Sequence, residues 1–314
     1  MIKVENLRKV FGAKVAVDDV SFTVQKGEVL GFLGPNGAGK STTMRMVTGF
    51  FAPTSGKVSV GGIDMLENPE QAKRSIGYLP ENAPLYSDMS VSGFLSFCAE
   101  LRGLHGAART KAIDHAIDLC FLESVRHQSV DTLSKGYRHR TCLAQSLIHD
   151  PDILILDEPT DGLDPNQKHE VRALIKRMGE KKAIIFSTHI LEEVEAACSR
   201  AIIIDRGKIV ADGTPDQLKK RAPGADCVRL VIRGGGARAE IEKLVCVEKV
   251  EATDGDESSL IGRVLPTKKS SGSELAREIA ALAAARQWKV EELHHEEGKL
   301  DEVFRSITRS DVAA

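Results

Sequence analysis

The sequence predicts an α/β core organised around a parallel sheet, followed by a small α+β domain. Three observations carry this expectation. Runs at 153–156, 183–186 and 201–205 alternate with helical patterns, and every position in them is apolar except the closing Asp205. Strands covered on both faces read that way, which points to a parallel sheet. Gly34-Pro35-Asn36-Gly37-Ala38-Gly39-Lys40-Ser41 fits G-x-x-x-x-G-K-[ST] and sits between a short apolar run and a helix opening. Beyond residue 224 the order is strand, helix, strand, strand, helix, strand, the ferredoxin-like pattern.

Taken in order, residues 1 to about 25 alternate polar and apolar around Gly12, as antiparallel strands do. A buried strand follows at 29–33, then the Gly-rich turn and a helix from Ser41. Short strands are expected at 56–64 and 75–79. From 83 to 149 the pattern is helical and strand-poor. Phe94, Leu95, Phe97, Leu101, Leu104, Ile113, Ile117 and Leu119 recur there at helical spacing and are expected in the core. Helices at about 167–178 and 191–197 separate the three later strands.

A boundary is expected near 221–226, giving domains 1–223 and 224–314. In the second, strands are expected at 228–233, 246–252, 260–265 and 288–293, and helices at 237–244, 272–286 and 299–307. Gly234-Gly235-Gly236 reads as a flexible loop, and His294-His295-Glu296-Glu297 as a solvated turn. Adjacent strand residues point to opposite faces, so the two histidines are not expected to meet one metal ion. Glu274, Arg277 and Glu278 share one face of a helix otherwise rich in Ala, Leu and Ile, which leaves its opposite face for packing.

The 314 residues fit about two domains, and 42% hydrophobic with 28% charged residues is ordinary for a globular chain. Only 4% is aromatic and the formal net charge is −2, which argues against nucleic acid as a partner. Cys98, Cys120, Cys142, Cys198, Cys227 and Cys246 form no C-x-x-C pair. Scattered in this way they read as reduced, mostly buried residues, which suits a cytoplasmic location. The N-terminus lacks an apolar signal core, and no apolar run approaches 18 residues.

Chemistry concentrates at two places. In the loop Gly34–Ser41, glycines let the backbone turn sharply and approach an anion without a Cβ in the way. The helix opening behind it adds backbone N–H groups and partial positive charge. Lys40 can reach the β- and γ-phosphates of a nucleotide, and the Ser41 hydroxyl can ligate Mg²⁺. The second place is the end of the 153–156 strand, where Asp157 and Glu158 stand together. Asp157 can hold Mg²⁺, and Glu158 can polarise an attacking water.

In that order and spacing the chain resembles the ATP-binding cassette (ABC) family over residues 1 to about 220. Leu133-Ser134-Lys135-Gly136-Tyr137 occupies the place of the family's LSGGQ signature, Gly162-Leu163-Asp164 that of the D-loop, and His189 that of the switch histidine. Phe11 lies where the family places an aromatic that stacks on adenine. The resemblance implies a P-loop NTPase core with an antiparallel β portion and a helical insertion. It also implies ATP and Mg²⁺ as cofactors. Gly34, Pro35, Asn36, Gly37, Ala38, Gly39, Lys40, Ser41 and Thr42 would hold the phosphates, and Val17 would also contact the nucleotide. Ser134, Gly136 and Asp164 would close from a second copy. Ser41, Glu81 and Asp157 would serve the metal, and Glu158, His189 and Lys40 catalysis.

Two departures stand out. Lys135 and Tyr137 replace Gly and Gln of the signature, with Lys135 expected to point to solvent. Glu81 in Tyr78-Leu79-Pro80-Glu81 stands where most relatives have Gln, adding negative charge near the γ-phosphate. These strings are similar to the branch associated with gliding motility and multidrug export, which pairs with separate ABC-2-type permeases. The resemblance thus implies a homodimeric ATPase subunit on the inner face of the cell membrane, with the helical insertion facing the permease. A soluble ABC ATPase of translation or DNA repair and a non-hydrolysing nucleotide sensor are the rival readings. The former usually carry paired cassettes, coiled coils or zinc modules, and Glu158 with His189 argues against the latter.

Overall fold

A computed structural model describes residues 1–82, 84–222, 224–254, 259–267, 270–296 and 298–308. The chain divides into two compact units, Met1–Pro215 and Asp216–Ala314. The segment 221–226, whose Pro223 lies outside the described residues, therefore falls inside the second unit.

The first unit has three layers. Strands β1 (Ile2–Phe11) and β2 (Lys14–Val24) form an antiparallel hairpin, and β4 (Ser55–Val60) and β5 (Ile63–Asp64) extend it in the order β2-β1-β4-β5. The central layer is a six-stranded sheet. It contains β3 (Val29–Leu33), β6 (Ile76–Leu79), β7 (Ile153–Asp157), β8 (Ala183–Thr188), β9 (Arg200–Asp205) and β10 (Lys208–Gly213). Its order is β10-β9-β3-β8-β7-β6, parallel except for β10 at one edge.

The continuous apolar strands explain this stacking. Side chains alternate between faces, so one strand must feed two cores. Leu30, Phe32, Ile153, Ile155 and Ile185 enter the core shared with Ile2, Leu7, Val20 and Phe22 of the antiparallel layer. Leu154, Leu156, Ile184 and Phe186 enter the core on the other side, with Leu95, Ile117, Leu122 and Leu143 of the helical region.

That helical region contains α3 (Val91–Leu101), α4 (Gly106–Leu119) and α5 (Lys135–Leu147), with 3-10 turns at Glu123–Val125 and Val130–Thr132. Its expected first residue, Ala83, lies outside the described residues. Ser90 and Ser134 cap α3 and α5, each accepting from the backbone N–H three residues on. The helix α1 (Lys40–Val47) follows β3, α2 (Pro69–Arg74) precedes β6, α6 (Pro165–Gly179) joins β7 to β8, and α7 (Leu191–Ala197) joins β8 to β9. The strand β10 sits at the sheet edge, where only Ala211 is buried, so its short Ile209-Val210-Ala211 run shows no periodicity.

His149, just past α5, gives the fold an acid-sensitive point. Its Nε2 lies 3.1 Å from the Ile76 carbonyl oxygen. Burial, with the Arg102 guanidinium adding to it, pushes the imidazole down to about 4. The unfolded chain takes up this proton near pH 6.5, whereas the folded one resists it until about pH 4. Stability is therefore lost as pH falls through that window, at up to about 1.4 kcal/mol per pH unit from this group. Denaturant titrations at pH 7 and pH 5 should show a shallower acid loss in His149→Gln than in the wild type.

The second unit follows a short helix α8 (Pro215–Lys219) that spans the division. It runs β11 (Cys227–Arg233), α9 (Ala237–Ile241), β12 (Val247–Asp254), β13 (Ser259–Pro266), α10 (Gly272–Ala285), β14 (Lys289–Glu296) and α11 (Leu300–Ile307). The sheet order β12-β13-β11-β14, all antiparallel, is the ferredoxin-like arrangement. Leu275, Ile279 and Ala283 of α10 are buried, and Glu274, Arg277 and Glu278 are exposed.

Two expectations are corrected here. Residues 294–296 are not a solvated turn but the end of β14, where His295 pairs with Val228 and Glu296 with Cys227; Glu297 lies outside the described residues. The charged run is compatible with a strand because cross-strand partners absorb it: Glu296 pairs with Arg263 and Arg229, and His295 with Asp226. The loop at Gly234 is not free either. A Cβ there would fall 2.1 Å from Trp288 Cδ1, so the backbone rests against the indole.

Candidate nucleotide site

The Gly-rich loop is shaped by close approaches. Gly39 has φ +108°, and a Cβ on it would lie 2.6 Å from the Ala16 carbonyl oxygen. Gly34 is similarly crowded by the Ile204 carbonyl oxygen at 2.5 Å. Gly37, at φ +79°, has open space instead, on the side where a ligand would lie. The helix α1 begins at Lys40, so the N–H groups of Lys40, Ser41 and Thr42 lack partners within the helix and converge on one point.

Lys40 is only 6% exposed. Its ammonium donates to the Gly34 and Pro35 carbonyls at 2.7 and 3.2 Å and lies 3.9 Å from Glu158 Oε1. Burial lowers its pKa, while the charges of Glu158, Asp157 and Glu81 hold it up.

Glu158 follows β7 with φ +51°, in the left-handed region that a residue with a Cβ rarely occupies. Its N–H donates to the Ser187 carbonyl at 3.0 Å, tying it to the neighbouring strand. His189 Nδ1 lies 3.0 and 3.1 Å from its two carboxylate oxygens. Burial raises the Glu158 pKa, and His189 and Lys40 oppose the rise. The carboxylate therefore combines raised basicity with a fixed direction, as an acceptor of a water proton requires. Asp157 is 1% exposed and accepts from Ser187 Oγ.

These groups frame a cavity of about 420 Å³. Pro35, Asn36, Gly37, Gly39, Lys40, Ser41 and Thr42 form its floor, Glu81 and Glu158 stand at one part of the wall, and Phe11, Lys14 and Ala16 complete it. The Phe11 ring is 45% exposed and is backed edge-on by Phe51 at 5.7 Å. Lys9 Nζ lies 5.1 Å from the centre of the Phe11 ring, and donates to the Ala52 carbonyl. Gly34 and Ala38 sit behind the loop. Val17 is fully buried in the core, and its neighbour Ala16 takes the wall position.

Ser134, Gly136 and Asp164 are brought together elsewhere on the first unit and do not line this cavity. Ser134 Oγ accepts from the Tyr137 N–H at 3.3 Å, which leaves its own proton free to be donated outward. Gly136 packs against the Gly162–Gln167 segment: a Cβ there would lie 3.0 Å from Gln167 Oε1. Asp164 caps α6 through the Gln167 N–H at 2.9 Å. Lys135 is exposed to solvent, as expected, and is also paired at the surface. It bonds Asp161 Oδ2 at 2.7 Å and lies across Gly162, whose φ of +70° and missing Cβ make the room. Tyr137 stacks under the Arg140 guanidinium at 4.5 Å.

Sequence reasoning missed Lys14 and Ala16 and the Phe51–Lys9 backing of Phe11. The first two follow from the hairpin, which pairs Phe11 with Lys14 across its turn. Among the described residues no three His, Cys, Asp or Glu side chains are arranged as a metal cage. Ser41, Asp157 and Glu81 near a phosphate cradle fit Mg²⁺ instead, which takes one or two carboxylates and substrate oxygens.

Residues 17–161 match the ABC transporter family. Over 236 residues the chain is 36% identical to the linearmycin resistance ATP-binding protein LnrL of Bacillus subtilis, across 74% of this chain and 76% of that one. The chain belongs to the ABC transporter ATP-binding family. It is also 41% identical over 223 residues to the probable multidrug ABC transporter ATP-binding protein YbhF of Escherichia coli. That alignment covers 71% of this chain and 38% of the relative's length. Among solved structures, an ATP-binding subunit of an ABC transporter superposes with a TM-score of 0.65 at 29% identity, covering 70% of this chain and 92% of that one. The ABC cassette fold thus accounts for the first unit: the Gly-rich loop after β3, the acidic end of β7 and His189 after β8 occupy adjacent strand ends of one parallel sheet. No helix among the described residues is long and apolar enough to cross a membrane.

Proposed function

We propose that this ABC chain binds and hydrolyses ATP and drives a separate ABC-2-type permease, in export, from the inner face of the membrane. One observation carries the hydrolytic reading: Glu158 is held between Lys40 and His189 beside the phosphate cradle. Two copies pair head to tail, so that Ser134, Gly136 and Asp164 of one copy close over the cavity of the other. The separation of these three residues from their own cavity supports that pairing.

In the closed pair Lys40 balances charge on the β- and γ-phosphates. Glu158 orients a water and accepts its proton, and His189 steadies Glu158 while facing the γ-phosphate. Ser41, Asp157 and Glu81 would hold Mg²⁺, which would supply further charge neutralisation on the phosphates. This is positioning and electrostatics rather than covalent chemistry. The purified chain should hydrolyse Mg-ATP with a rate per chain that rises with protein concentration, as a dimeric site requires. ATP binding without turnover at any concentration would favour the nucleotide-sensor reading instead.

The export assignment rests on the similarity to linearmycin resistance and multidrug ATP-binding proteins and on the departures at Glu81, Lys135 and Tyr137. Glu81 lines the cavity just ahead of the helical region, so it is placed to report nucleotide state to a permease docked there. In the complete transporter, Glu81→Ala should lower transport per ATP hydrolysed by about tenfold while ATP affinity changes by less than about threefold. A proportional loss of both transport and ATP binding would assign Glu81 to the nucleotide alone.

A further inference from the structure

A buried carboxylate outside the cavity joins the two loops that carry Glu158 and His189. Glu193 lies in the first turn of α7 and is 1% exposed. One of its oxygens accepts from the Thr160 hydroxyl. The other accepts from the Thr188 hydroxyl at 2.7 Å, and that hydroxyl in turn accepts from the Ile190 N–H at 3.0 Å. Thr160 stands two residues after Glu158, and Thr188 stands immediately before His189. Each carboxylate oxygen therefore holds a different strand end.

The placement is costly for a purely structural role. A buried carboxylate forfeits hydration worth several kcal/mol unless its hydrogen bonds are well made, and an apolar residue could pack this turn of α7 without that penalty. What the carboxylate adds is a bridge with two acceptors at a fixed spacing. Glu158 also has need of one. Its left-handed backbone persists only where neighbouring contacts over-determine it. The bond from its N–H to the Ser187 carbonyl fixes one side, and the Asp161 N–H bonded to its carbonyl at 3.0 Å closes the turn. The Thr160 hydroxyl on Glu193 anchors that turn to the loop bearing His189.

We infer that Glu193 is a positioning residue for hydrolysis: by holding Thr160 on one oxygen and Thr188 on the other, it sets Glu158 and His189 at hydrogen-bonding distance. The inference rests on the hydrolytic reading of the site.

The test uses the full chain with Thr160→Val, Thr160→Ser and Glu193→Gln. The valine keeps the shape of threonine and removes the donor. The serine restores the hydroxyl. The glutamine replaces one acceptor oxygen with an amide that only donates, so the hydroxyl facing it must reverse its bond and loses the charged partner. Small displacements of catalytic groups cost about ten- to a hundredfold in turnover. Thr160→Val and Glu193→Gln should therefore lower kcat by about tenfold or more with KM for ATP within about threefold, and Thr160→Ser should stay near the wild type. Amide exchange should quicken in both 158–163 and 188–191 in Glu193→Gln, although Thr160 lies far from α7 in sequence. Wild-type kcat in a folded Glu193→Gln, or equal loss in the serine and valine variants, would overturn the inference. So would a loss confined to thermal stability. If the wild-type chain binds ATP but does not turn it over, the hydrolytic reading fails. The exchange measurement then decides alone: unchanged exchange at 158–163 in Glu193→Gln refutes the bridge.

Discussion

Glu158→Gln should stop ATP turnover while leaving ATP bound. The substitution keeps the side chain's size and its capacity to meet His189, but an amide cannot take a proton from water. Burial raises the Glu158 pKa, which makes the carboxylate a stronger base than an exposed one. General-base catalysis of this kind contributes about 10²–10⁴-fold, so kcat should fall by at least about a hundredfold. ATP affinity should hold or improve, because one negative charge beside the γ-phosphate is removed. With closure intact and cleavage blocked, the variant should accumulate as an ATP-bound dimer, visible by size-exclusion chromatography in Mg-ATP.

The pH profile gives a second signature. Protonation abolishes the base, so wild-type kcat should decline on acidification. Because the Glu158 pKa is raised, that decline should begin at a higher pH than an ordinary glutamate would give. The Glu158→Gln residue of activity should lack this acid limb. Hydrolysis at the wild-type rate in the variant would remove Glu158 from the reaction.

Some of this site is legible in the residues and some is not, for physical reasons. The loop Gly34–Ser41 is legible because chain geometry demands its glycines at fixed spacing. The apolar runs of β7 and β8 are legible because strands feeding two cores leave no polar position. Glu193 is not, since its partners Thr160 and Thr188 lie 33 and 5 residues away in sequence and meet only when β7 and β8 pair. Lys135 is exposed, as expected of a lysine at a helix start, but its surface pairing with Asp161 is not legible, because only the fold brings Asp161 within reach. The strand expected at 288–293 is present as β14, but its end at 294–296 hides because Glu296 is absorbed by Arg229 of β11 and Arg263 of β13. Periodicity reports which face is apolar; it carries no information on pairs that form across strands.

Lys40→Ala should fail one step earlier than Glu158→Gln, at nucleotide binding itself. The Lys40 ammonium lies among the charges of Glu158, Asp157 and Glu81 and offsets them. Without it, Glu81 and Glu158 face an incoming triphosphate, with Asp157 buried behind them. Two charge-assisted hydrogen bonds to phosphate oxygens would also be lost, each worth about 1.5–3 kcal/mol. At about 1.4 kcal/mol per tenfold, affinity for ATP should fall by about a hundredfold or more. Lys40→Met separates charge from packing, because it keeps an unbranched stem in a position that is only 6% exposed. It should bind ATP as poorly as Lys40→Ala while recovering thermal stability. Lys40→Arg should not rescue binding, since a planar guanidinium cannot take the place of a compact ammonium bonded at 2.7 Å to the Gly34 carbonyl. Calorimetry with a non-hydrolysable ATP analogue distinguishes the outcomes. Tight binding by Lys40→Met would mean that the backbone N–H groups of the loop and helix α1 hold the phosphates without the lysine, and Lys40 would then belong to turnover alone.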